Sequence, residues 1–174
     1  MRFPTLVFAL AAAVSMTGCS SLVSLNPFFG EQEASTDPAL TGVWRTGEND
    51  AMLVIRLSGN HYSIWYTEKS SALKFEATLV RLGEVELLDL VPDTDDAFSV
   101  PVHTLIRVWP SNSELRWAFV DSDWFRQQGL QQLAGQLAGD RTLLTAPSAA
   151  VRAFLAKAVA DERAYSKPQS FQRE

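Results

Sequence analysis

A mainly β fold with some α is predicted: a curled or closed antiparallel sheet of about seven or eight strands, one inserted helix and a C-terminal amphipathic helix. Three observations carry this. Short runs rich in β-branched and aromatic residues follow one another from Thr41 to Val120, each bounded by Gly, Asn, Ser or Pro. Two later stretches change to helical spacing. The chain beyond residue 38 is long enough for one domain with its own core, and a second is not expected.

The strand runs come in order. Gly42 to Thr46 is followed by the turn residues Gly47-Glu48-Asn49-Asp50. Met52 to Leu57 ends at Ser58-Gly59-Asn60, and His61 to Thr67 leads into Glu68-Lys69-Ser70-Ser71. Leu73 to Val80 alternates cleanly, with Leu73, Phe75, Ala77 and Leu79 on one face and Lys74, Glu76 and Thr78 on the other. Such alternation is the period of a half-buried strand. Gly83 turns the chain into Val85 to Leu90, which Pro92 closes. Val102 to Trp109, the turn Pro110-Ser111-Asn112-Ser113 and Leu115 to Val120 form the strongest hairpin signal. A meander of this kind must curl or close to hide its edges.

Asp121-Ser122-Asp123 supplies N-cap oxygens for a helix from Trp124, continued by Leu130, Leu133 and Leu137 although Gly129 and Gly135 weaken it. Arg141 to Thr145 is an eighth strand. After Pro147-Ser148, the residues Val151, Phe154, Leu155, Ala158 and Val159 form one apolar face opposite Arg152, Lys157 and Asp161. The globular domain is therefore expected over residues 39–166, with 167–174 as a C-terminal tail.

Arg2 is the only charge before Glu31, and the apolar run Leu6 to Val14 follows it. A membrane-spanning helix needs about 20 apolar residues, so this run reads as a removable signal over residues 1–18. Residues 19–38 carry Ser, Pro, Gly and acidic side chains without a sustained period, the composition of a flexible tether, in which Phe28-Phe29 is an incidental pair. Met16-Thr17-Gly18-Cys19 resembles the lipobox of bacterial lipoproteins, in which small residues precede a cysteine; Met16 stands where leucine is usual. The resemblance implies cleavage before Cys19, a diacylglycerol on its sulfur and often an acylated amino group. Two or three chains make anchoring durable where one does not. Ser20, in place of aspartate, implies transfer to the outer membrane, on its periplasmic side. Cys19 is the only cysteine, so no disulfide can form within the chain.

The layout resembles that of lipocalins, in which a Gly-x-Trp motif on the first strand precedes eight antiparallel strands and a C-terminal helix. Gly42-Val43-Trp44 occupies the matching position. Leu87 to Pro92, Asp121 to Trp124 and Leu143 to Ala146 are also similar to phrases in a group of uncharacterised bacterial lipoproteins, which implies no activity.

The formal net charge is −5, one unit more acidic once Arg2 is removed. With no basic run, nucleic acid is not an expected partner. His61 and His103 have no metal-ligand partner at local spacing. His61 is expected to be exposed and His103 a hydrogen-bonded sheet residue; only a cleft shared by His103 and a carboxylate would point to acid–base chemistry. No nucleophile elbow occurs, and lipid occupies the one thiol. Asp89, Asp93, Asp95 and Asp96 lack the spacing of a calcium loop and read as a solvated stretch. No catalytic residue, metal or cofactor is expected.

Aromatic side chains crowd the strands, and several strands are apolar on both faces. The two helices, a partner protein or a lipid-like ligand must cover the second face. The expected function is a membrane-anchored, non-enzymatic binding module for an apolar or amphiphilic small molecule, with Trp44, Trp65, Phe75, Trp117 and Phe119 as the ligand surface. The alternative is a structural or interaction subunit of an envelope complex, with another envelope protein as partner.

Overall fold

The computed structural model describes residues 21–47, 50–94 and 99–174. The expected signal, Cys19 and the Asp95-Asp96 pair lie outside the described residues. Eight strands close a lipocalin-like antiparallel barrel: β2 (Gly42–Arg45), β3 (Ala51–Ser58), β4 (His61–Glu68), β5 (Ser71–Leu82), β6 (Val85–Pro92), β7 (Thr104–Pro110), β8 (Glu114–Phe119) and β11 (Gln169–Arg173). Consecutive strands pair as hairpins from β2 to β8. Strand β11 then closes the ring, placing Phe171 opposite Leu115 of β8 and Arg173 opposite Trp44 of β2.

Register sets which side chains face inward. Leu53 pairs with Tyr66, Tyr66 with Leu73, Ala77 with Leu90 and Val108 with Trp117, so each of these points into the lumen. Trp44, Leu53, Ile55, Tyr62, Ile64, Leu79, Leu88, Ile106, Leu115 and Phe171 are all buried in one cluster. The lumen is therefore a packed core, as a barrel of this strand number allows.

The opposite faces of β5 to β8 are covered as well. Val80, Val85, Leu87, Leu105 and Val120 meet Phe125 of α1 (Ser122–Gln128) and Val151, Phe154 and Leu155 of α2 (Ser148–Ala158). Leu22, Phe28 and Phe29 join the same cluster. The two-sided apolar strands are thus explained by the helices and the N-terminal segment.

Three expectations are corrected. Residues 21–38 do not form a free tether: β1 (Leu22–Ser24) pairs in parallel with β10 (Arg141–Leu144), and Phe28 and Phe29 are buried. Each aromatic ring removes a large apolar area from water, which outweighs the Ser and Pro context. The C-terminal segment is not a tail, because its backbone supplies the ladder that the edges of β2 and β8 would otherwise lack. The helix does not reach Leu137; it ends at Gly129, and β9 (Gly135–Ala138) forms a hairpin with β10. A Cβ on Gly129 would meet the Phe125 ring at 2.4 Å, and one on Gly135 would meet the Leu143 carbonyl at 2.8 Å, so both glycines mark close approach.

Phe28→Ala is expected to destabilise the chain lacking residues 1–18 by about 3 to 5 kcal/mol. Leu25→Ala in the same segment, at 43% exposure, is expected to change it by less than about 0.5 kcal/mol. Equal, small effects in urea unfolding would show that the segment is not docked.

Candidate functional site

The two ends of the barrel differ. One is sealed by a single 3-10 turn, Pro38–Leu40, capped by Asp37, whose carboxylate accepts the Ala39 N–H at 2.8 Å. Trp44 Nε1 donates to the Leu40 carbonyl at 2.9 Å, and the Tyr62 hydroxyl donates to the Asp37 carbonyl at 3.1 Å while accepting its N–H at 2.7 Å. Arg173 lies 4.1 Å above the Trp44 ring. Its guanidinium donates to the carbonyls of Ala39, Thr41 and Asn112, each at 2.7 Å. Access to the lumen is closed at this end.

The other end is an aromatic mouth. Tyr66 and Trp117 approach to 5.7 Å between ring centroids, Trp117 and Phe119 to 6.2 Å, and Trp117 meets Phe171 edge-on at 5.1 Å. Phe75, partly buried, packs against the lumen core, and Leu73, the register partner of Tyr66, is 52% exposed. Phe119 is 47% exposed. An apolar strip therefore runs from Leu73 through Tyr66 and Trp117 to Phe119. Its rim is polar: the Tyr66 hydroxyl donates to Glu68 at 2.6 Å and Trp117 Nε1 donates to Gln169 at 3.1 Å. Beside it Asp50, Ala51, Glu68 and Gln169 line a depression of about 350 Å³. Burial, with the Glu68 carboxylate acting in the same direction, pushes the Tyr66 hydroxyl up to about 12, so it stays a neutral donor.

Of the expected ligand surface, Trp117 and Phe119 meet at this mouth, and Phe75 lies on the inner face of β5 two residues from Leu73. Trp44 is buried at the sealed end, where its ring supports Arg173. Trp65 lies on the outer face of β4, with Arg56 at 5.3 Å and Lys74 at 5.8 Å from its ring. Tyr66, Leu73, Glu68 and Gln169 belong to the mouth but were not among the expected residues. The parity of β4 carries the signal for Tyr66, since it shares a face with Tyr62 and Ile64.

A second concavity lies outside the barrel, under the N-terminal segment. A cleft of about 200 Å³ is lined by Pro27, Phe29, His61, Glu76, Asp89 and His103 among others. His103 Nδ1 is 2.8 Å from Asp89 Oδ1, and Asp89 Oδ2 accepts the Phe28 N–H at 2.8 Å. His61 Nδ1 is 3.1 Å from the Thr78 hydroxyl. His103 and a carboxylate do share an open cleft, the arrangement that acid–base chemistry would need. Asp89 is however only 5% exposed, and both its oxygens hold neighbouring groups in place. Ser24 and His103 also exchange backbone hydrogen bonds at 2.9 and 2.8 Å. Among the described residues no group of three or more His, Cys, Asp or Glu suits a metal ion. Asp93, exposed as expected, pairs with Lys74, and Asp121 caps α1 through the Trp124 N–H as expected.

No family model, curated protein or solved structure matches the chain. Its class is set by its fold, a small closed antiparallel β-barrel of lipocalin-like form, compatible with a ligand-binding module.

Asp89→Ala leaves the Phe28 N–H and His103 without their shared acceptor and is expected to cost about 2 kcal/mol or more in urea unfolding. A neutral result would show that the N-terminal segment is held by apolar contacts alone. Alkali tests the mouth. Tyr66 and Tyr165 both rise to about 12 on burial, against 10.0 unperturbed. The folded state therefore holds protons that the unfolded state releases first. Stability from this source is intact below pH 10 and falls as pH rises toward 12. Phenolate absorbance should lag that of free tyrosine, and Tyr66→Phe should flatten the alkaline loss; a normal titration would show these hydroxyls in water.

Proposed function

We propose that the protein is a lipoprotein of the bacterial envelope, cut before Cys19 and lipid-anchored at the periplasmic side of the outer membrane. Its barrel binds the apolar part of an amphiphilic small molecule, without catalysis. The observation that carries the binding role is the exposure of Leu73 and Phe119 at the unsealed end, joined by the partly buried Tyr66 and the buried Trp117. Isolated exposed leucines need no explanation, but two exposed apolar side chains joined by an aromatic row and flanked by hydrogen-bonding groups mark a contact site. Side chains fill the lumen, so the ligand lies across the mouth and is not swallowed. Two exposed apolar side chains cover little surface, so once the costs of association are met the affinity is expected to be weak. The lipobox-like Met16 to Cys19 and the apolar run before it support the anchor. None of the helices described is long and apolar enough to cross a membrane.

A second reading, an interaction subunit of an envelope complex, is favoured by the same filled lumen, since a protein side chain could cover the strip equally well. Crosslinking in cells through the mouth should then recover one stoichiometric partner.

Titration of the soluble domain with fluorescent fatty-acid probes tests the first reading. Binding is expected to quench or shift tryptophan emission and to weaken at least tenfold in Leu73→Asp and Phe119→Asp, with unfolding midpoints little changed because both sites are exposed. Absence of probe binding, together with absence of a bound amphiphile in native mass spectra of protein purified from membranes, would discard it.

A further inference from the structure

The start of the described chain is fixed to the body. Ser21 offers its carbonyl to the Thr142 N–H at 2.9 Å. Leu22, Val23 and Ser24 then pair in parallel with Thr142, Leu143 and Leu144 of β10. Cys19 precedes Ser21 by two residues, and two Cα steps span at most about 7 Å. Parallel pairing also sends the chain, read backwards from Leu22, toward Arg141 and the turn of the β9–β10 hairpin.

That hairpin is open to solvent. All four residues of β9 are exposed, Leu137 at 56%, and Gly139, at φ +65, turns the chain through exposed Asp140 and Arg141. No ion pair of Arg141 occurs among the described residues. The geometry points to the β9–β10 hairpin as the face that rests on the phospholipid surface carrying the anchor, with Leu137 entering the interface and Arg141 meeting lipid phosphates. The inference rests on the lipid anchor proposed for Cys19. A lipid there enters the bilayer next to this hairpin and leaves the body no slack.

The chemistry fits a phospholipid layer. Arginine pairs with phosphate through parallel N–H donors, and a leucine side chain gains by leaving water. One of each, with Asp140 beside them, is too little to bind a membrane alone, and the acidic body is repelled by anionic lipid. The anchor changes this by holding the hairpin at high effective concentration near the headgroups. Orientation follows as well. Ser24 and His103 bridge antiparallel just before β7, so the chain read back from Ser24 runs along β7 away from the mouth. The mouth then faces away from the membrane, where soluble ligands arrive.

Full-length lipidated protein, purified from bacterial membranes and reconstituted in phosphatidylethanolamine/phosphatidylglycerol vesicles, tests this. Leu137→Cys and, at the mouth end, Ser71→Cys each add one free thiol at an exposed site, because lipid blocks the Cys19 sulfur; each takes a fluorophore. Spin-labelled lipids are expected to quench the label at 137 several-fold more strongly than that at 71. Equal or reversed quenching on protein whose mass includes the lipid overturns the orientation while leaving the anchor intact. A protein of unlipidated mass, whose Cys19 itself takes the label, overturns the anchor and this inference with it.

Discussion

The guanidinium of Arg173 is the point on which the fold closes. It lies over the Trp44 ring and donates to carbonyls of three separate residues, Ala39 and Thr41 at the plug and Asn112 in the β7–β8 turn. A planar donor fork of fixed geometry can join a ring face and several acceptors at once, which a lysine could not. Arg173 also sits in β11, so the same residue ties the last strand, the plug and the first barrel strand together. Gly42 shows the constraint from the other side: its φ is +141, and a Cβ there would meet Arg173 Nη1 at 2.5 Å. The Gly-x-Trp spacing is therefore a cradle for one arginine, with the tryptophan as its floor and the glycine as its clearance.

Where one face of a strand is polar and the other apolar, the sequence declares the strand and its inward side. Leu73 to Val80 is such a case, as are the Asp121 cap of α1 and the apolar face of α2. The segments that escaped are those whose partners are far away. Gln169 to Arg173 holds one buried apolar residue, Phe171, and becomes a strand only because two unpaired edges stand ready for it. Leu22-Val23 and Phe28-Phe29 look incidental until the outer faces of β5 to β7 are seen to need cover. The apolar outer faces did signal that need, and the covering elements proved to include a segment with the composition of a linker.

The site was legible to the same degree. Trp117 and Phe119 are two residues apart on one strand and so share a face, and Phe75 shares one with Leu73; period two is enough for both. Trp44 and Trp65 carry no such guarantee, since parity fixes which residues point together but not which direction is inward. Charged Arg56 and Lys74 beside Trp65 mark its face as the outer one only after register places them there. Filling of the lumen lies further beyond a sequence, because it depends on how side chains from all eight strands and the plug meet in one volume. That filling moves any ligand contact to the rim.

The N-terminal segment raises a question of register. Its grip on the barrel is mostly apolar, and apolar contact has no direction; Phe28 and Phe29 could exchange places, or slide by one residue, at little cost in buried area. Asp89 removes that freedom. Its carboxylate lies on the outer face of β6 with one oxygen aimed at the Phe28 N–H and the other at His103. A buried carboxylate without both partners would be strongly unfavourable, so any slipped arrangement that takes away the Phe28 N–H is penalised where a wholly apolar surface would tolerate it. His103 in turn is fixed by its backbone bonds to Ser24. The polar pair thus specifies which apolar residue sits over which strand.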